Sequence, residues 1–241
     1  MADNYAWLLH NGVHAAVVDP GNDRAVLRFI DRNKLKLRYI LVTHHHSDHC
    51  AGAVNLKRAH GCRIMGPSDT RIPFVDDIMH EEEAYSILDE QMEVMHTPGH
   101  TMTHVVYHFP NLRALFTGDT LFCGGCGRLF EGSPADMLGS LIKCTDVDDV
   151  TSVYCGHEYT EENLLFATTM ETENKELWRR LADVKYLQAR NMPTVPSSVA
   201  LERATNPFLR TGSPAIRKRL TMEDANPVEV FAELRKRKDN F

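Results

Sequence analysis

The chain has 241 residues, 43% hydrophobic and 25% charged, with a formal net charge of −6. That composition is ordinary for a globular protein, long enough for one large domain or a domain with a small companion, and its acidity argues against general nucleic-acid affinity. No apolar run approaches the roughly 20 residues that span a bilayer, and MADNYAWLLH lacks the charged start and apolar core of a signal peptide, so a cytoplasmic protein with no membrane partner is expected.

Residues 5–9 and 14–18 read as paired strands around His10-Asn11-Gly12-Val13, with Asn-Gly as the turn signal, and Asp19-Pro20-Gly21 ends the second. Residues 23–33 read as a helix with Val26, Leu27 and Ile30 on one side. A strand over 38–43 leads into a histidine-rich loop, a helix to about residue 59, and a short strand from Cys62 to Met65. Residues 66–83 are polar and carry no clear period. Four short strands follow near 84–88, 92–97, 104–109 and 114–118. Ser133 and Pro134 open a helix to about 144 as cap and first helical residue, and 151–155 is the last strand. From about residue 160 the pattern is helical, over 161–171, 174–190 and 227–238, with a proline-bearing loop from Pro193 to Pro207. Strands bracketed by helices and followed by a helical stretch predict an α/β sandwich over 1–159 and a small all-helical domain over 160–241. The six cysteines are too sparse for a disulfide framework, and Cys123-Gly124-Gly125-Cys126 has no second C-x-x-C to complete a structural zinc site, so free thiols are expected.

The loop after the 38–43 strand reads Thr43-His44-His45-His46-Ser47-Asp48-His49. Imidazole is the commonest metal-ligating side chain, and such density is hard to explain as packing. Alternate residues of an extended segment share a face, so His44, His46 and Asp48 point together while His45 points away. His49 breaks that parity and needs a helix opening near Asp48. The set divides into His44 with His46 and Asp48 with His49, which suggests two adjacent metal sites. The H-x-H-x-D-H string resembles the metallo-β-lactamase superfamily, whose members are αββα sandwiches with metals at one edge.

Three further stretches place polar groups at strand ends beside a glycine that permits a tight bend: Thr97-Pro98-Gly99-His100-Thr101, Thr117-Gly118-Asp119-Thr120 and Cys155-Gly156-His157-Glu158. The superfamily resemblance implies that His44, His46 and His100 bind one cation, that Asp48, His49 and His157 bind a second, and that Asp119 bridges them. Two divalent cations are expected, zinc first, with iron or manganese compatible with the mixed N/O ligands.

Residues 118–132, G-D-T-L-F-C-G-G-C-G-R-L-F-E-G, closely resemble the type II glyoxalases, the hydroxyacylglutathione hydrolases. So do Gly156-His157-Glu158-Tyr159-Thr160, Asn206-Pro207-Phe208-Leu209-Arg210 and the ending Lys238-Asp239-Asn240-Phe241. The resemblance implies hydrolysis of S-(R)-lactoylglutathione to D-lactate and glutathione, in methylglyoxal detoxification, by a metal-bridging hydroxide with Asp48 and Asp119 as catalytic residues. It places Arg128, Phe130, Tyr159, Arg235 and Lys238 on the glutathione thioester, a small-molecule partner; a monomer is expected. The basic run Arg235-Lys236-Arg237-Lys238 suits an anionic substrate, although a helix end also favours cations through its dipole. Phe130 departs from the tyrosine of many relatives, which removes a hydrogen bond worth about 0.5–1.5 kcal/mol. The resemblance also places one more strand ahead of Asn4-Tyr5 than the sequence contains. The rival reading is a mononuclear iron persulfide dioxygenase acting on glutathione persulfide, which needs only two histidines and one aspartate. A non-catalytic glutathione-binding protein would show a degraded ligand set, whereas all seven positions are filled.

Overall fold

The computed structural model describes residues 3–241, so the first two positions of the expected sandwich and of the leader reading lie outside the described residues. The elements run β1 (Trp7–His10), β2 (His14–Val18), α1 (Asp23–Asn33), β3 (Lys36–Leu41), α2 (Ser47–Cys50), α3 (Ala53–His60), β4 (Arg63–Gly66), β5 (Asp77–Ile78), β6 (Tyr85–Ile87), β7 (Glu90–His96), β8 (Val105–Phe109) and β9 (Ala114–Gly118). They continue with β10 (Leu121–Phe122), β11 (Gly125–Cys126), α4 (Pro134–Thr145), β12 (Ser152–Cys155), α5 (Thr160–Met170), α6 (Lys175–Gln188), β13 (Ser197–Ser198), α7 (Val199–Thr205), α8 (Pro214–Leu220) and α9 (Pro227–Asp239).

Among the described residues two large sheets form, one in the order β1-β2-β3-β4-β5 and one in the order β13-β12-β9-β8-β7-β6, beside a two-stranded β10-β11 ribbon. The period of two in their strands explains the layers. In β2, Ala16 and Val18 enter the core between the sheets with Leu41, Tyr107 and Phe116, while Ala15 and Val17 face Val26, Ile30 and Leu56 of the outer helices. In β8 and β9, Val106 and Leu115 turn the other way, onto Met137 and Leu141 of α4. The central strands β2, β8 and β9 are buried on both faces, and the αββα sandwich expected from the sequence results.

Helix ends follow their capping residues. Asn22 caps α1, and Ser133 with Asp136 forms a reciprocal capping box at α4 with Pro134 in its first turn. The helix expected up to residue 59 is instead two, α2 and α3, because Gly52 packs against Pro20 and Asp23 where a Cβ would lie 2.5 Å from the Pro20 carbonyl oxygen and 2.7 Å from the Asp23 nitrogen. The expected loop from 193 to 207 contains β13 and α7, the latter capped by Ser198. Among the described residues no helix is long and apolar enough to cross a membrane.

From Thr160 onward the chain is helical apart from β13, which pairs with β12 and so extends a sandwich sheet. This region and the sandwich share a core in which Phe166, Phe208 and Phe231 meet Leu121, Met137 and Leu141. A polar network crosses beneath it. The buried Glu202 carboxylate is paired with Arg180 and accepts from the Gly124 nitrogen at 2.8 Å, and Asn206 Nδ2 donates to the Gly125 carbonyl at 2.9 Å. The loop between β10 and β11 is therefore held by residues some eighty positions downstream.

A candidate metal centre at the sheet edges

The site forms where β2, β3, β7, β9 and β12 end. β3 stops at Leu41, and the chain passes through Thr43 and His44 to His46, which is still extended at φ −60, ψ 138 as it caps α2. Asp48 and His49 occupy the first turn of α2, so the helix, not continued strand parity, brings Asp48 to the site. His45 turns outward, its Nδ1 lying 3.5 Å from Asp69. Gly118 has φ 46, a conformation that favours glycine, and a Cβ there would meet Thr43 Oγ1 at 2.5 Å and His104 Nε2 at 2.7 Å. At Gly156 a Cβ would lie 2.5 Å from Asp119 Oδ1 and 2.6 Å from His49 Cε1. Those two glycines let β9 and β12 deliver Asp119 and His157 to one point.

Two clusters result. In the first, His46 Nδ1 lies 3.0 Å from His44 Nε2 and 3.0 Å from His100 Nε2. In the second, His49 Nε2 and His157 Nε2 are 3.2 Å apart, with Asp48 Oδ2 at 3.9 Å and 3.6 Å from them. Asp119 lies between, Oδ1 3.3 Å from His49 Nε2 and Oδ2 3.4 Å from both His100 Nε2 and His157 Nε2. Within each triad, His44/His46/His100 and Asp48/His49/His157, the ligand atoms fall within 4.8 Å of one another.

The partners behind the rings fix which nitrogens face inward. His100 Nδ1 donates to the Arg128 carbonyl at 2.9 Å, and His49 Nδ1 donates to Asp19 Oδ2 at 2.9 Å. The Thr43 hydroxyl donates to Asp19 at 2.7 Å, so its oxygen accepts from His44 Nδ1 at 3.0 Å. With Nδ1 so engaged, Nε2 of all three rings points into the site, and in the uncharged His44 and His100 it offers a lone pair. Asp119 Oδ1 is buried and has no hydrogen-bond partner. Facing lone pairs and an orphaned carboxylate oxygen are what a cation would satisfy, so the donor set fits divalent metal.

Charge points the same way. Burial pulls the His49 imidazole down, but Asp119, Asp19 and Asp48 outweigh it and lift its pKa to about 9. Burial pushes Asp119 up, yet His49, a hydrogen bond from His157 and the His100 ring hold it well below the usual carboxylate range. Burial and neighbouring imidazoles lower His44, and they lower His46 to about 4. Carboxylates crowd one end and uncharged imidazoles the other, a place that calls for added positive charge.

Sequence reasoning missed Asp19 and Asn4. Asp19, read only as part of a turn, is 2% exposed and also accepts from the Thr43 nitrogen at 2.7 Å. Asn4 Nδ2 donates to Asp48 Oδ2 at 3.1 Å. His104 supports Asp119 from behind, its Nε2 accepting from the Asp119 nitrogen at 3.1 Å.

The metal-ligand cluster opens into a cleft of about 500 Å³ lined by Arg128, Phe130, Tyr159, Arg235 and Lys238, together with Cys126, Glu162 and Asn163. Phe130 stands edge-on to His46 and His100, and Tyr159 stacks on His157 with ring centres 4.7 Å apart. Arg235 donates to the Cys126 carbonyl at 2.8 Å and pairs with Asp239 at 2.9 Å. All six cysteines are free and buried. Cys123 lies 3.9 Å from Cys155, which leaves the C-x-x-C without a partnered pair of its own.

A family model described as the metallo-beta-lactamase superfamily matches residues 3–157, and one described as hydroxyacylglutathione hydrolase C-terminus matches residues 158–241. A curated protein from Brucella anthropi named hydroxyacylglutathione hydrolase is 45% identical, the alignment covering 100% of this chain and 94% of that one. One of the same name from Bartonella tribocorum is 43% identical over 99% of this chain and 96% of its own. The crystal structure of ETHE1 from Myxococcus xanthus is similar in fold, with TM-score 0.66 and 21% identity over 98% of this chain and 93% of that one.

Proposed function

Since the chain belongs to the hydroxyacylglutathione hydrolase family within the metallo-β-lactamase superfamily, we propose how its residues carry out that family's reaction. The reaction is hydrolysis of S-(R)-lactoylglutathione and related 2-hydroxyacylglutathiones to the 2-hydroxy acid, D-lactate, and glutathione, the step that completes methylglyoxal removal. A C–O bond forms at the acyl carbon as the C–S bond breaks, and the sulfur leaves as a thiolate. A thiol ionises near pH 8.5, so the leaving sulfur needs little help from an acid.

We assign His44, His46 and His100 to one divalent cation, Asp48, His49 and His157 to a second, and Asp119 to both, with zinc favoured and iron or manganese compatible. Bound there, the pair would polarise the thioester carbonyl and lower the pKa of water toward neutrality. Asp48, braced by Asn4 and facing the cleft, orients the attacking water. Arg128, Arg235 and Lys238 draw in the glutathione carboxylates, for which guanidinium and ammonium donors are suited. Phe130 and Tyr159 flank the thioester end of the cleft, next to the histidines. In this reading residues 1–159 carry the chemistry and part of the thiol's binding site, and 160–241 add Arg235 and Lys238 to it, in a cytoplasmic monomer.

The observation that carries the proposal is Asp119, buried between two triads of ligand atoms at the inner end of a cleft with a cationic mouth. Metal analysis alongside a panel of acyl-thioesters at equal concentration tests it. Two equivalents of metal and preference for 2-hydroxyacylglutathiones are expected. One equivalent, with oxygen uptake on glutathione persulfide, would favour the rival iron dioxygenase, against which the filled second triad of Asp48, His49 and His157 argues.

A further inference from the structure

The three cations lining the cleft are not equally available. Arg128 is open, its side chain 67% exposed and 3.7 Å from Asp239. Arg235 is committed to the Cys126 carbonyl and to Asp239, one turn along its own helix. Lys238 is covered. Its side chain is 8% exposed, and its Nζ donates to Glu162 Oε1 at 2.6 Å. Glu162 comes from a different helix, α5, and also lines the cleft. Its side chain is 66% exposed, and among the described residues it makes no hydrogen bond except that from Lys238. It can therefore swing into solvent, but the Lys238 ammonium, whose hydrogen bond among the described residues is this one, then needs another anion in its place.

We propose that Glu162 is a specificity-determining residue that competes with the substrate for Lys238, so that a carboxylate of the thiol must displace the Glu162 carboxylate to reach the ammonium. This rests on the glutathione reading above. A cleft built this way discriminates by charge: a thiol with a carboxylate replaces one anion by another at Lys238, whereas a neutral thiol gains nothing by opening the pair. The Glu162 side of the pair is open to water, and such pairs are worth a few tenths to about 1 kcal/mol, so relieving the competition corresponds to roughly a 1.5-fold to fivefold gain in affinity.

The test is calorimetric binding of S-methylglutathione, a thioether that cannot be hydrolysed, and of the same thioether with both carboxylates amidated. Glu162→Gln is expected to bind the anionic form roughly 1.5-fold to fivefold tighter than wild type at low salt, with the gain shrinking at high salt. It is expected not to tighten binding of the amidated form, whose remaining charge is its ammonium. Lys238→Met should weaken the anionic form and abolish the effect of adding Glu162→Gln. Unchanged or weaker binding of the anionic form by Glu162→Gln overturns this inference alone, and weaker binding would mean that Glu162 holds the ammonium of glutathione. If wild type binds neither thioether, the glutathione reading falls and takes this inference with it.

Discussion

At the inner end of the cleft, His44, His49 and His100 are each held from behind, by Thr43, Asp19 and the Arg128 carbonyl. At its mouth, Arg128 is two-thirds exposed and Lys238 leans on a glutamate that nothing else restrains. The inner groups are fixed in number, tautomer and direction before anything binds. The outer groups already have anionic partners and must exchange them. Groups whose chemistry depends on sub-ångström placement are built on strand ends and buried, whereas the cations of the mouth are an open loop residue, Arg128, and two residues of α9, Arg235 and Lys238, already paired with carboxylates. A change at the inner end should therefore act on turnover and metal retention together, and a change at the mouth on affinity alone.

The sharpest break in that contrast is Asp119→Ala. It removes the carboxylate shared by both triads, and turnover should fall on the order of 10³-fold with loss of bound metal, read by kinetics and elemental analysis. Near wild-type hydrolysis would show that Asp119 does not bridge. Next comes metal removal: a chelator should abolish hydrolysis and lower the Tm, since a cation bound only by the folded chain stabilises it, and divalent zinc, iron or manganese should restore both. Asp19→Ala sharpens the idea of support from behind. It leaves His49 Nδ1 and the Thr43 nitrogen without their acceptor, and metal affinity should weaken about 10- to 100-fold while binding of S-methylglutathione to the metal-loaded enzyme is unchanged. The smallest effect belongs to the mouth. Phe130→Tyr adds a hydroxyl beside the thioester end, and a single new hydrogen bond of about 0.5–1.5 kcal/mol should lower KM severalfold.

The groups that meet at the site were legible because each sits in a short local pattern. His44, His46, Asp48 and His49 share one loop, and Asp119 and His157 each follow a glycine at a strand end. Asp19 was not legible. Its role exists only because β2 and β3 are parallel neighbours, which places it beside a threonine 24 positions along the chain. The same limit hid Asn4, which meets Asp48 through an isolated bridge between the N-terminal segment and His157. The sandwich itself was readable from short apolar runs, because strands buried on both faces need them. α7 and α8 escaped because seven residues are barely two turns, too few for a helical period to register. Their existence depends on Ser198 as a cap for one and on Pro214 in the first turn of the other. The pairing of Lys238 with Glu162 could not be read either, since it depends on how α5 and α9 lie together.

Glu202 and Asn206 give the helical region a second task. They clasp the backbone of Gly124 and Gly125 from below, on the segment that runs from Asp119 to Arg128. A chimera that trades residues 160–241 for another cap, in search of a new thiol, would lose this buttress along with the old specificity. The transplant would have to bring its own acceptor for the Gly124 amide and its own donor for the Gly125 carbonyl. Otherwise the floor beneath Asp119 would sag before any new substrate arrived.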